Sequence, residues 1–508
     1  MRYFGIHLGH DTGIAVFNQF GELDFFAQSE RYFPRQKNYS HDINPIEKLF
    51  GAVRPQQGDI VTITATGEND LYICDFYDTR YMRFGKNSKN FFDKEIVPNF
   101  VIDHHFAHVV SSWCFREDDK ERLFLSYDGS GPDCLGNWKS SMVGLLSKDG
   151  FAIIDDAFPI LSSSALSDVL GFSSAGKTMG LSGCFSKQFG SNEDLRKLIE
   201  FSYNKHNLNI NPQIPSPWSN ENLEWAASFY KFITNQMWED VDKNIKKYSN
   251  GRGVIIGGGS SLCLEINTKI YNTTKDVVFG PAANDSGLAL GAAAFSFWHI
   301  NKKWPIVKTV SINEIQEPLP RIGPQNPKGI AKLLATNRPI GLLRGKAECG
   351  PRALCFRSIL CPADKPENLH FVSEVLKERE NFRPLAPVVL DEDFNRYFIG
   401  PRGKYMQYRV ECTDEAKKEI PAVVHRDNSA RPQVVYQNDP WLYDLLLEYK
   451  KISGHGCLIN TSLNAKNMPI CNTYNDALND FKNKKITLIS IESPSWEIKN
   501  NNFYIKII

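Results

Sequence analysis

Three of the chain's eleven histidines fall within five positions, His104, His105 and His108 in the stretch IDHHFAH. A helix that begins near Asp103 puts His104 and His108 four residues apart on one face. His105 then lies about 100° away around the axis. Two imidazoles so placed are either metal ligands or polar residues of an ordinary helix. Zinc proteases use the same offset, but their motif carries a Glu directly after the first histidine, and His105 occupies that position here. A metal site would need a further ligand from elsewhere.

A second group of chemistry-bearing residues lies far along the chain. Arg344, Lys346, Arg352 and Arg357 fall within fourteen residues, LKERENFRPLAP adds Lys377, Arg379 and Arg383, and HRDNSARPQ adds His425 and Arg431. A solvated helix face explains a run such as LKERE. It does not explain Arg383 and Arg431, each placed before a proline in surroundings of low charge. Guanidinium forks converging on one pocket suit phosphate and carboxylate-like oxygens. The stretch LINTSLN, with Asn460 and Ser462, follows a strand and offers amide and hydroxyl groups to the same kind of ligand.

The elements that must position these residues are readable in outline. YFGIHLG, GIAVFN and LDFFAQSE read as strands joined by tight turns. RLFLSYDGSG is a further strand ending at a glycine-flanked Asp. GRGVIIGGGSSL and VVFGPAANDSGLALGAAAFSFW each pass from a short strand through a Gly/Ser/Asp turn into a helix. Turns of this kind recur at 9–13, 128–131, 257–260 and 284–287. In them backbone N–H groups can approach phosphate without Cβ interference, and a following helix N-terminus adds a favourable dipole. None matches a Walker A loop or GxGxxG. Four together predict a nucleotide cleft between two related lobes. Residues 301–329 carry five prolines and read as a connector with one short strand. The segment 186–250 is polar and helix-prone.

Bulk properties narrow the class. A chain of 508 residues predicts two or three domains. The formal charge of +1, from 59 basic and 58 acidic residues, argues against a broad nucleic-acid footprint. No apolar run approaches the about 20 residues that span a bilayer, and the N-terminus lacks the apolar core of a signal peptide. Eleven cysteines without a CxxC pair read as reduced thiols. The expectation is a cytoplasmic protein with no membrane and no nucleic-acid partner.

Taken together and in order, these motifs resemble the O-carbamoyltransferases of the NodU/CmcH family. The matching stretches are GHDTGIAV, HHFAH, YDGSG, SSAGKTMGL, IIGGGSSL and PAANDSGLALGAA, followed by GKAECGPRALCFRSIL, KERENFRPLAP, VVHRDNSARPQ and INTSLNAKNMPI. They cover nearly the whole chain apart from the middle segment. The resemblance implies an α/β N-terminal domain (1–310) of the actin/Hsp70/sugar-kinase type, similar to the tRNA threonylcarbamoyl-transfer subunit. A Pro-rich connector (311–329) and an α+β YrdC-like domain (330–508) would follow. It further implies that the C-terminal domain makes carbamoyl-adenylate from carbamoyl phosphate and Mg-ATP. The N-terminal domain would then transfer the carbamoyl group to an acceptor hydroxyl, of a sugar or glycosylated natural product, leaving AMP.

The resemblance also assigns residues. His104, His108 and Asp285 become ligands of a divalent metal, Fe(II) by the family pattern, and two imidazoles with one carboxylate suit that ion. His10, with Asp11 beside it, becomes the group that positions or deprotonates the acceptor hydroxyl. Asp128, Gly129, Ser130 and Gly131 line the phosphate side of the first cleft and Gly257, Gly258 and Gly259 the adenosine side, with Lys37 and Lys177 reaching phosphate. Lys346, Arg352, Lys377, Arg383, Arg431, Asn460 and Ser462 bind carbamoyl phosphate and ATP. Arg379 joins them or pairs with Glu380 or Glu348. The chain departs from the family at Lys346, where relatives frequently have Arg, which keeps the charge but loses the planar fork. Cys263 stands where relatives often have Asn. The competing readings are a metal-dependent kinase of the actin-like class, a carbamoyl-transfer maturation factor or tRNA modifier, and a nucleotide-binding regulator without catalysis. A homodimer is admitted.

Overall fold

The computed structural model describes residues 1–9, 11–32, 35, 53–65, 71–72, 83–84, 98–132, 138–155, 179, 182, 184, 220–315, 317–492, 496–499 and 502–505. Its first half holds two five-stranded sheets with one topology. In the first, Leu23–Gln28, Gly13–Phe17 and Tyr3–His7 form an antiparallel meander, and Ile60–Thr64 and Phe100–Ile102 extend it in parallel with Tyr3–His7. In the second, Phe151–Asp155, Trp138–Leu146 and Arg122–Pro132 form the meander, and Val254–Gly257 and Val277–Phe279 extend it in parallel. This duplicated order gives the two related lobes that the turn pattern predicted, in the mixed α/β class that the resemblance implied.

Each sheet is followed by a helix that packs on the opposite sheet. His104–Trp113 follows the first sheet and lies on the second, while Leu288–Asn301 follows the second and lies on the first. The two helices also pack on each other. Asp103 starts the first helix as its N-cap, accepting from the Phe106 N–H at 3.1 Å. The contact between the helices is backbone-close: a Cβ on Gly291 would lie 2.0 Å from the Ala107 carbonyl oxygen. Both helices are buried, with Phe106, Val110, Trp113 and Leu290 among the fully enclosed side chains. Truncating Trp113 in such a core costs about 3–5 kcal/mol. The swap makes the N-terminal half one packed unit and brings the carboxyl ends of both sheets' parallel strands together, where α/β folds bind ligands.

The C-terminal half is built on a mixed six-stranded sheet in the order Gln433–Val435, Ala386–Leu390, Cys457–Ser462, Arg357–Pro362, Ile340–Arg344, Thr487–Ile491. Helices Pro327–Leu334 and Pro440–Ser453 pack against each other, and leucines and isoleucines from both join a core with this sheet. The proline-rich connector is stitched down. Ser311–Asn313 pairs with Ala347–Glu348, and the Glu314 N–H donates to the Phe26 carbonyl at 2.8 Å. Arg31 crosses to donate to the Gly350 carbonyl at 2.6 Å, and Thr268 and Arg409 exchange two bonds of 2.8 and 3.0 Å. These bonds fix one half against the other. Among the described residues no helix is long and apolar enough to cross a membrane.

Candidate functional site

The helix from His104 delivers both ring nitrogens to one point. His104 Nε2 and His108 Nε2 are 3.1 Å apart, and each is 3.0 Å from Asp128 Oδ2. Asp285 Oδ1 lies 3.5 Å from His108 and 4.0 Å from His104. One ligating atom from each of the four residues lies within 4.8 Å of the others. Asp128 is oriented through its other oxygen, which accepts from the Gly129 and Gly259 N–H groups at 2.7 and 3.2 Å. Gly258 makes this possible: its φ is +90°, and a Cβ there would lie 1.9 Å from the Tyr127 carbonyl oxygen.

The electrostatics fit a cation. Burial holds His104 below the usual histidine range, against the opposing pull of its hydrogen bond to Asp128. Burial pushes Asp128 up, yet the hydrogen bonds from both histidines carry it well below the usual carboxylate range. Two ring nitrogens 3.1 Å apart cannot face each other as lone pairs unless a proton or a cation shares the space. Two imidazoles and two carboxylates are a donor set for a divalent transition metal. His105 points away and donates from Nε2 to the Lys139 carbonyl at 2.9 Å. Burial drives it down to about 4.

Beside this cluster a cavity of about 510 Å³ opens between the two halves. Asn284 and Ser286, the neighbours of Asp285, line it together with Asp11 on one side. Arg352, Arg379, Arg383 and Arg431 line it on the other. Burial lowers all four guanidinium pKa values, Arg379 to about 9 and Arg352 to about 10, and repulsion from neighbouring arginines adds to it in Arg352, Arg379 and Arg431. A guanidinium does not shed its proton in a protein, so these four are buried charges, short of solvation, that a bound anion would compensate. Among the described residues only Arg383 of the four has a carboxylate in ion-pair range, Glu380 at 3.5 Å.

The positions separate the cations that the sequence left together. Of the first four, only Arg352 lines the cavity. Arg344 pairs with Asp439, Lys346 with Glu314, and the fully buried Arg357 donates to the carbonyls of Asn472, Arg344, Phe356 and Gly345. Lys377, expected as a ligand anchor, is 2% exposed and donates to the Ser462 and Asn464 carbonyls at 2.6 Å. It therefore holds the 458–464 loop from behind. Asn460 lines the cavity, but its amide nitrogen is bound to the Ala353 carbonyl at 3.0 Å and to Gln433 Oε1 at 2.8 Å. Arg379 bonds Thr461 Oγ1 at 3.0 Å rather than Glu348, which instead faces Arg31 and accepts from the Leu354 N–H at 2.8 Å. Ser462 lines the cavity.

In the first half, Asp128 stands in the histidine cluster rather than on a phosphate wall. Gly129 and Gly259 support Asp128, while Gly131 packs against His104 and Gly257 against His108. Cys263 contacts Tyr230 Oη at 3.2 Å. His10, Lys37, Lys177 and the side chain of Ser130 lie outside the described residues. Sequence reasoning missed Asp128 as the fourth member of the cluster; its place at the end of a strand beside glycines was visible, but that signal fits a phosphate loop equally well. It also missed Asp427 and Arg409, which line the cavity.

Comparison with known proteins gives matches to parts of the chain. The family described as carbamoyltransferase C-terminus matches residues 331–496. The chain is 34% identical over 249 residues to nodulation protein U of Rhizobium tropici, covering 47% of this chain and 43% of that protein. It is 27% identical over 464 residues to an uncharacterized protein of Methanocaldococcus jannaschii, covering 80% and 74%. The structure of HypF from T. kodakarensis overlays 59% of this chain and 48% of its own, at 12% identity and a TM-score of 0.33. The C-terminal half is thus of the carbamoyltransferase class. The match to that family lies within residues 331–496, and the chain spans less than half the length of the nodulation protein it resembles.

Proposed function

We propose that the protein is an ATP-dependent O-carbamoyltransferase. One observation carries the reading: four arginines with a single ion-pair partner among the described residues line a cavity that the N-terminal half closes from the other side. Carbamoyl phosphate and ATP would supply the missing negative charge. Carbamoyl phosphate, ATP and one water would yield carbamoyl-adenylate, phosphate and pyrophosphate, turning a poor carbamoyl donor into a mixed anhydride with a good leaving group. Transfer to an acceptor hydroxyl would then release AMP.

Each half has a role in this scheme. Arg352, Arg379, Arg383 and Arg431 would bind and orient phosphate oxygens. The shared cavity would keep the labile anhydride from bulk water between the two steps. Asp11 lines the same cavity, and His10, its neighbour in sequence, would take the acceptor proton. His104, His108, Asp128 and Asp285 would hold a divalent ion, for which Fe(II) is the choice that the family resemblance implies. When bound, that ion supplies positive charge to nucleotide phosphate oxygens and to the departing AMP. A sugar hydroxyl is the proposed acceptor.

Purified protein incubated with ATP, carbamoyl phosphate and Mg²⁺ tests the first half-reaction without the acceptor. The expected result is carbamoyl-phosphate-dependent ATP–pyrophosphate exchange that disappears in Arg383→Ala. ADP formation that ignores carbamoyl phosphate would replace this reading with the actin-like kinase.

A further inference from the structure

The arginine cavity contains one titratable cation of a different kind. His425 lines it, 9% exposed in its side chain, and its Nδ1 lies 3.0 Å from Asp427 Oδ1. The pair sits in a tight turn: the His425 N–H donates to the Ser429 carbonyl at 2.9 Å, the Asn428 N–H to the His425 carbonyl at 2.9 Å, and Asn428 adopts a φ of +63°. Asp427 is fixed in turn. Ser429 donates to Oδ1 through its N–H at 3.2 Å and its hydroxyl at 2.5 Å, and Arg409 donates to Oδ2 at 3.3 Å. With Nδ1 tied to the carboxylate, Nε2 is the ring atom left for a ligand. Its contact there is a weak one, Cys184 Sγ at 3.9 Å, which an oxyanion would outcompete.

We propose that His425, held by Asp427, is a further anion-binding residue of this cavity, donating from Nε2 to a phosphoryl oxygen of the acyl phosphate or nucleotide. The proposal rests on the carbamoyltransferase reading of the site and adds a residue to it. The electrostatic reason is specific. Arg352, Arg379, Arg383 and Arg431 already repel one another, and a fifth permanent cation would add to that repulsion. A histidine neutralised by its own aspartate adds a hydrogen-bond donor with almost no added net charge. Burial lowers its pKa, but the hydrogen bond to Asp427, the contact with Cys184 and the charge of Asp427 raise it overall to about 9. The ring is therefore a donor at neutral pH. It becomes an acceptor at Nε2 only well above it, so anion affinity carries a histidine's pH dependence on top of the arginines' constant one.

Sulfate tests this, because it does not itself titrate across the range. Its affinity for the full chain would be measured by calorimetry at pH 7 and near pH 10 for wild type, His425→Gln, Asp427→Asn and Arg431→Gln. The expected result is a loss of about tenfold in His425→Gln at pH 7 and none relative to wild type near pH 10. Arg431→Gln should lose affinity equally at both pH values. Asp427→Asn, which keeps the imidazole, should move the pH midpoint of binding downward. Wild-type-like affinity of His425→Gln at pH 7, or an equal loss at both pH values, overturns the proposal while the carbamoyltransferase reading stands. Absence of sulfate binding in wild type, together with absence of pyrophosphate exchange, overturns both.

Discussion

The histidine–aspartate cluster and the arginine cavity adjoin each other and are opposites in construction. The cluster gathers two carboxylates and two imidazole nitrogens whose contacts are already 3.0–4.0 Å. Its charge excess is negative, and it is tight before any ligand arrives. The cavity gathers, besides the paired Arg409, four guanidinium groups that have one carboxylate in ion-pair range among the described residues, across about 510 Å³. Its charge excess is positive, and it is open. One site is built to hold a small cation in place and the other to accept and release a large anion. The difference teaches how one chain can set a cation-type donor cluster and an anion-type cavity side by side: the first is enclosed by compensated contacts, the second is lined by uncompensated ones.

Breaking the cluster should have the largest effect. His108→Ala should reduce bound divalent metal, measured by elemental analysis after loading with Fe(II) or Mn(II), from about one equivalent to near zero. Pyrophosphate exchange should stay within about threefold of wild type, because the residues assigned to that step lie in the other half. Retained stoichiometric metal would dissolve the contrast between the two sites.

Arg352→Gln should have the converse effect. Exchange should fall roughly 30-fold or more, as expected when a charge-assisted contact worth about 2–5 kcal/mol is removed. Metal content should not change. Unfolding by urea should show equal or slightly higher stability, since one of four mutually repelling charges is gone. A stability loss above about 1 kcal/mol would mean that the arginine is a structural strut like Arg357.

Lys377→Met separates a supporting cation from a binding one. It strips the donor from two buried carbonyls, so a loss of about 2–3 kcal/mol in urea unfolding is expected. Exchange should weaken only through disorder of the 458–464 loop. Unchanged stability with abolished exchange would restore Lys377 as a ligand contact.

The smallest effect concerns pH. A histidine raised above its unfolded value stabilises the fold fully below about pH 6.5. That contribution is lost as pH rises through about 9, the folded value of His425. His425→Gln should therefore flatten the decline in stability across this window, read as the slope of the urea-unfolding free energy against pH. An unaltered slope would remove the dyad's charge from the comparison of the two sites.

Much of this was legible in the residues. The offset of His104 and His108, the helix start near Asp103 and the Gly/Asp/Ser turns at 257–260 and 284–287 are specified locally, and each appears at its place, whereas 128–131 runs on as part of the strand Arg122–Pro132. The pre-proline arginines Arg383 and Arg431 were rightly set apart from the solvated run around them, and both line the cavity. The failures have one cause. Lys346 and Lys377 carry the same charge as the lining arginines and lie equally near in sequence, and nothing local says that one meets Glu314 and the other two carbonyls. Asp128 was ambiguous for the same reason, since a strand-end aspartate among glycines can face phosphate or a metal.

By itself, then, the sequence determined the local elements, the duplicated turn pattern and the stock of cations and histidines, because capping, periodicity and turn conformation act over a few residues. Only the tertiary structure decided the partners. Asp128 and Asp285 are 157 positions apart in the chain, and the exchange of helices between the two sheets brings both to His104 and His108. Whether a lysine or arginine is neutralised within the fold or left facing a cavity likewise depends on which carboxylate or carbonyl a distant segment carries to it, and long-range packing alone sets that.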